Sequence, residues 1–228
     1  MSEPVRHRTA VRARLRATLV AAARELAVAR GWREVRMADV AAAAGVSRQT
    51  VYNEFGDKAG LADALAAAEI DRFLGAVRAA LHGHGTDVRA AARAAIGVTL
   101  GDAADNLLIK SIVRGAEEQP DALLPYLTTR PQLILDATVA VLHEWAATFL
   151  PGYSRDELEI VFDSIVRLVI SHLTYPVAAP EKAAADLADL LARMVRATSV
   201  TPPGESRRGA SGHNAGRIPG PSAPGSRT

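Results

Sequence analysis

The chain has 228 residues, 49% of them apolar, enough for a substantial core in one or two domains. It has no cysteine, which excludes disulfides and cysteine-based metal sites, and its few aromatics and abundant alanine favour helices over sheets. The net charge of +2 conceals an asymmetry: residues 1–60 hold 11 Lys/Arg against 6 Asp/Glu, residues 61–200 hold 12 against 18, and residues 201–228 hold 4 against 1. A basic head on an acidic body suits a module whose N-terminal face meets phosphates while the body stays off them.

Residues 1–8 read as a basic arm. Arg6, Arg8, Arg12, Arg14 and Arg16 cluster before and within the start of a first helix predicted from Thr9 to about Ala29. Such an arm could touch a minor groove or the phosphate backbone, or simply be a frayed, solvated start. Leu15, Leu19, Ala22, Ala23 and Leu26 recur at helical spacing on one side, and Gly31 ends the helix. Arg24 and Glu25 interrupt the apolar stretch around them, so it reads as an amphipathic helix rather than a signal peptide. No uncharged run approaches the roughly 18 apolar residues of a membrane span, so the cytoplasm is the expected location and no membrane partner is expected.

The segment Met37 to Leu61, MADVAAAAGVSRQTVYNEFGDKAGL, has the layout of a helix-turn-helix. Val40, Ala41, Ala43 and Ala44 make a short apolar helix, and Gly45 falls where a helix ends in the left-handed conformation that glycine adopts without steric cost. Ser47 is placed to accept from the free backbone N–H groups of a second helix, with Val46 in the angle between the two. Val51 and Phe55 share the buried side of that helix, which leaves Arg48, Gln49, Thr50, Tyr52 and Asn53 along the other. Arg pairs bidentately with guanine and Gln with adenine in the major groove, whereas Thr and Tyr suit phosphates or the thymine methyl. Asp57 is a plausible cap for the next helix, and Lys58 could reach a phosphate.

These residues resemble the DNA-binding head of the TetR family of bacterial transcriptional regulators, over about Leu19 to Leu65. Ala22, Ala23, Leu26, Gly31 and Trp32 match its first helix and turn; Met37, Val40, Ala41, Ala44, Gly45, Val46, Ser47, Thr50, Tyr52, Phe55, Lys58 and Leu61 match the rest. Three positions depart from the pattern. Arg36 stands where the family has a capping, phosphate-binding threonine, Gln49 replaces a glycine, and Glu54 replaces Tyr or His and is expected to turn away from DNA. The run SRQTVYNEFG is similar to a subgroup of actinobacterial regulators, some linked to alkane or fatty-acid metabolism.

Beyond the head, a long helix is expected from Asp57 to Leu81, ended by His82-Gly83-His84-Gly85. Thr86 is positioned to cap a helix from Asp87 to about Ala104, and a shorter one is expected around Leu107 to Arg114. Pro120 and Pro125 bracket a small helical turn. Pro131 suits the first turn of a helix reaching Phe149, with Thr129 or Arg130 at its cap. Pro151-Gly152 breaks it, Ser154-Arg155-Asp156-Glu157 is a capping-box pattern opening a helix to about Tyr175, and a last helix spans Glu181 to Ala197. Residues 200–228, rich in Pro, Gly and Ser, read as a disordered tail.

The fold expected is therefore all-α: a three-helix DNA-binding head over 9–60, and a helical effector-binding and dimerisation domain over 61–199. One stripe of the penultimate helix holds Leu158, Val161, Phe162, Ile165, Leu168, Val169 and His172; one of the last helix holds Ala183, Leu187, Leu190, Leu191 and Met194. Such stripes serve either the domain's own core or a partner copy. The resemblance implies that these two helices pair with their symmetry mates in a homodimer, with Phe162, Ile165, Val169, Leu187, Leu190, Leu191 and Met194 as interface candidates. Asn106, Tyr126, His143, Trp145 and His172, polar or aromatic groups on apolar stretches, are the candidates for an effector pocket, and a small apolar molecule such as a fatty acyl chain is the expected ligand.

No nucleophile elbow, phosphate-binding loop, dinucleotide glycine pattern or metal-ligand spacing occurs, so no catalysis, cofactor or metal is expected. The function expected is a dimeric, sequence-specific DNA-binding regulator, a repressor released from a palindromic operator by its ligand, with DNA candidates Arg36, Ser47, Arg48, Gln49, Thr50, Tyr52, Asn53 and Lys58. The alternative is an effector-independent architectural or partner-recruiting DNA-binding protein. A lipid carrier or enzyme with a vestigial head is opposed by the intact Ser47, Thr50, Tyr52 and Lys58.

Overall fold

A computed structural model describes residues 3–101 and 131–198, and all regular structure within them is helical. The predicted helix around Leu107 to Arg114, the turn between Pro120 and Pro125, the cap at Thr129 or Arg130 and the tail lie outside the described residues, as do Asn106 and Tyr126. The described helices are α1 (Glu3–Arg30), α2 (Met37–Ala43), α3 (Arg48–Phe55), α4 (Lys58–His82), α5 (Val88–Gly101), α6 (Pro131–Phe149), α7 (Arg155–Thr174) and α8 (Pro180–Thr198), with one 3-10 turn at Trp32–Glu34. Helix α1 starts at Glu3 rather than Thr9, so most of the expected arm is helical.

The local signals act as the residues dictate. Gly31 and Gly45 take positive φ values of 82° and 68°. After α2 the Val46 N–H donates to the Ala41 carbonyl at 3.0 Å and the Gly45 N–H to Ala42 at 3.2 Å, a Schellman closure that stops one helix and aims the chain into the next. Ser47 accepts from the Thr50 N–H at 3.1 Å, and Asp57 accepts from the Gly60 N–H at 2.9 Å. At Ser154 and Glu157 both halves of the capping box form. Backbone hydrogen bonding to Ser154 holds the Glu157 carboxyl below its ordinary pKa. At α5 the cap is Asp87, which accepts from the Ala90 N–H at 2.9 Å, not Thr86; the helix starts one residue later than expected and leaves Thr86 in the turn.

The head is α1 to α3 closed by the start of α4. Leu19, Ala23, Trp32, Val40, Val51, Leu61 and Leu65 are buried at its centre. In the body α5 packs on α4 and α8, α6 on α4 and α7, and α7 on α8. Helix α4, about 37 Å long by its helical rise, belongs to both halves. Its Leu61 and Leu65 lie in the head core, and its Phe73, Val77 and Leu81 lie in the body. Among the described residues no helix is long and apolar enough to cross a membrane.

Candidate nucleic-acid interface

With Val51 and Phe55 buried, α3 presents Arg48, Gln49 and Asn53 to solvent and keeps Thr50 and Tyr52 half-buried at the edge. The outward side chains pair along the helix. Arg48 Nη2 donates to the Tyr52 hydroxyl at 3.1 Å, which raises the guanidinium pKa above its ordinary value, and Gln49 Nε2 donates to Asn53 Oδ1 at 2.9 Å. These four-residue pairs hold polar heads in a row above the surface, where exchange for base edges or phosphates exposes no unsatisfied buried group. Ser47 Oγ lies 2.9 Å from Thr50 Oγ1, so both hydroxyls sit at the N-terminal end of α3.

Two candidates sit differently. Arg36 is the N-cap of α2 with extended backbone and no side-chain capping bond, so it is an exposed cation beside the motif. Lys58 points inward: its Nζ donates to the Arg33 carbonyl at 3.0 Å and lies 5.2 Å above the Trp32 ring. One ammonium donor thus ties the turn after α1 to the start of α4.

Glu54 is expected to turn away from DNA, but its partner and several other contacts of the head were not foreseen. Glu54 turns away from α3's outward row and accepts from Arg12 Nε at 3.0 Å on both carboxylate oxygens. Arg16 donates to the Glu54 carbonyl at 3.0 Å and stacks 4.5 Å over the Phe55 ring. Glu69 of α4 is 2% exposed and accepts from Arg24 of α1 at 3.0 Å and from Arg72. Glu69, set in the apolar run ALAAAEI, was the available signal. A Cβ at Gly60 would lie 2.1 Å from the Phe55 carbonyl oxygen, so only glycine lets α4 begin so close to the end of α3.

The body holds an apolar cavity of about 90 Å³ walled by α4 to α8. Its only polar side chains among the described residues, Thr99 and Thr138, donate to carbonyls of their own helices, Ala95 at 2.9 Å and Ile134 at 2.7 Å. Of the predicted pocket residues, His143, Trp145 and His172 lie outside this lining. His143 is buried with its Nε2 2.7 Å from Glu159 and its ring on Phe162, Trp145 is 1% exposed in the core, and His172 bonds the Leu168 carbonyl in its own helix. His143 and His172 are satisfied by these bonds, Trp145 Nε1 is buried without a hydrogen-bond partner, and the cavity wall is built mostly from aliphatic side chains.

The interface candidates divide by burial. Phe162, Ile165, Val169, Leu187 and Leu191 are buried within a single copy of the chain, Ile165, Val169 and Leu191 in the cavity wall. Leu190 and Met194 are half-buried. Helix α7 instead leaves Ile160, 76% exposed, and Leu168, 37% exposed, on its outer side.

Comparison with known proteins places this geometry. Residues 19–65 match the family model described as bacterial regulatory proteins, tetR family, and residues 87–193 match the C-terminal domain of the bacterial tetracyclin repressor. The chain is 33% identical over 182 residues to the HTH-type transcriptional regulator AlkX of Mycobacterium tuberculosis, covering 80% of this chain and 85% of that protein. It is similar to the crystal structure of a TetR family repressor AlkX from a Dietzia species, implicated in biodegradation of n-alkanes. That likeness has TM-score 0.62 and 29% identity, covering 79% of this chain and 97% of the other. A tetR-family regulator from Streptomyces coelicolor shares the fold at 19% identity and TM-score 0.56, with 82% of each chain covered. The head match starts at residue 19 and leaves the first half of α1 outside it. An outward row of donors on α3, a Schellman turn before it and a helical body matched by its own model have one account: the chain belongs to the TetR family of DNA-binding bacterial transcriptional regulators.

Proposed function

We propose that the chain acts as a homodimeric repressor that reads a palindromic operator through α3 and is released when an apolar small molecule enters the body cavity. The observation that carries this reading is α4, whose first turns are part of the head core while Phe73, Val77 and Leu81 wall the cavity. An occupant that displaces this wall moves a rigid element on which the head rests. The two recognition helices of a dimer must stay about 34–36 Å apart, one DNA turn, or a compatible multiple, so a small swing is enough to weaken binding. DNA and effector would then oppose each other by linkage.

The cavity favours this over an effector-independent architectural protein, whose body would be solidly packed. Its apolar, mostly aliphatic wall, with both threonine hydroxyls already committed, suits an alkyl chain: an n-alkane, or the tail of a fatty acyl molecule. The n-alkane association of the Dietzia repressor supports the former. For the dimer, Ile160 and Leu168 lie two turns apart on the outer side of α7 and would be covered by the same surface of a second copy. In the operator complex, Arg48, Gln49 and Asn53 meet base edges, Ser47, Thr50, Tyr52 and Arg36 meet phosphates, and Lys58 assists while bracing the head. The cytoplasm, where the DNA is, is the corresponding location.

The test is a titration of the preferred duplex with and without dodecane, dodecanoate or an acyl-coenzyme A. Release by at least one, at concentrations that also raise the melting temperature of the free protein, is the expected result. Operator affinity unmoved by all three, with no thermal shift, would favour the architectural reading.

A further inference from the structure

We propose that the first half of α1, Glu3 to Thr18, is a second DNA-contacting element, which lies along the sugar-phosphate backbone flanking the base pairs read by α3. This rests on the DNA-binding reading of α3 and adds a surface outside the matched head.

The segment EPVRHRTAVRARLRAT carries five arginines and one acid. From His7 to Thr18 every side chain is exposed except Leu15, which is half-buried. Over these residues Leu15 alone packs on the apolar core, and a helical stretch of this length is marginal in water with so little tertiary packing. Its chemistry fits a partner that accepts guanidinium groups over an extended surface. Arg8 and Arg14 make no ion pair among the described residues.

Its place in the fold identifies the partner. Arg12 and Arg16 bind the carboxylate and carbonyl of Glu54 at the C-terminal end of α3, so the segment is anchored on the recognition helix itself. That anchor also neutralises the one acid on α3, which would otherwise repel phosphates, and supplies positive charge at the negative end of the helix dipole. From Arg16 back to Glu3 the helix runs about 20 Å farther, a distance that spans several phosphates. An anionic lipid surface is a poorer fit, because interfacial helices carry a wide apolar side, and from His7 to Thr18 Val11 is the one large apolar side chain that is exposed.

The experiment compares the full-length wild type with the double variant Arg8→Ala, Arg14→Ala. Two versions of the preferred duplex are used, one trimmed to its half-sites and one extended by about one helical turn of arbitrary sequence on each side. Both substitutions place alanine, the best helix former, at exposed positions, and circular dichroism checks that the fold is kept. The wild type should bind the extended duplex at least tenfold more tightly, and the variant should lose that gain. Its slope of log affinity against log salt should fall by about 2–4 units, at about 0.9 per lost phosphate contact and two arginines in each of two protomers. A variant with unchanged slope and unchanged flank dependence, while the wild type still prefers its site, would overturn the proposal and leave the α3 reading standing. A wild type with no preferred duplex would instead overturn the reading on which it rests. Loss of binding to phosphatidylserine vesicles in the variant, with DNA binding intact, would assign the segment to a membrane surface and overturn the proposal.

Discussion

Glu69, 2% exposed on α4, and Arg24, 29% exposed on α1, are joined at 3.0 Å across the seam between the head's first helix and the helix that enters the body. The buried carboxylate is further held by Arg72. Removing one partner of such a cluster leaves a buried charge short of its compensation, though the exposure of both arginines lets water replace part of it. Arg24→Ala should lower stability by about 1–3 kcal/mol, and hydrogen exchange should quicken in α1 and in the middle of α4. A variant with wild-type denaturation midpoint and exchange would remove this pair from the head–body connection.

Gly60 makes a second demand on the same junction. Gly60→Ala sets a methyl group against the Phe55 carbonyl oxygen, and the α3–α4 corner must open to admit it. A cost of about 1–3 kcal/mol is expected, with operator affinity falling further than nonspecific affinity because α3 is re-aimed. Equal stability and equal affinity would show that the corner is loose.

The cavity makes a prediction about what the ligand does not need. The Thr99 hydroxyl donates to Ala95 within α5, so Thr99→Val should change the affinity for an alkyl ligand less than about threefold, as isothermal titration would read. A tenfold loss would mean that the hydroxyl anchors a polar head group, and the hydrocarbon reading would have to give way.

The apolar residues of α7 and α8 separate by burial into two classes. Ile160→Glu with Leu168→Glu should yield monomers at micromolar concentration by sedimentation, with the melting temperature of the monomer fold nearly kept. Leu187→Glu should unfold the chain, because Leu187 is 5% exposed and the new carboxylate would have no partner there. Dimers that persist in the first variant would place the interface elsewhere.

Local features were legible in the sequence because their causes are local. Gly45 closes α2, Ser47 opens α3, and Ser154 and Glu157 open α7, each through hydrogen bonds or φ values that span a few residues. What depended on distant packing was not legible. The stripe through Phe162 and Ile165 announces burial but not by whom, since a monomer core and a dimer seam ask for the same side chains. Polar groups such as His143 drew notice as pocket anchors, yet Glu159 satisfies His143 and the cavity wall is mostly aliphatic. Arg12 and Glu54 lie 42 residues apart, and Arg24 and Glu69 lie 45 apart, so no spacing rule could pair them.

Selection of bound duplexes from a random library, repeated with Gln49→Ala, tests the central claim most directly. The wild type should enrich an inverted repeat whose half-site centres lie about 10–10.5 bp apart, or a multiple, and the variant should lose preference at one position per half-site at a cost of about 1–3 kcal/mol. To read that base the Gln49 amide must leave Asn53, to which it donates at 2.9 Å in the free protein. No enriched sequence for the wild type, or an identical motif for the variant, would contradict base reading by this face of α3.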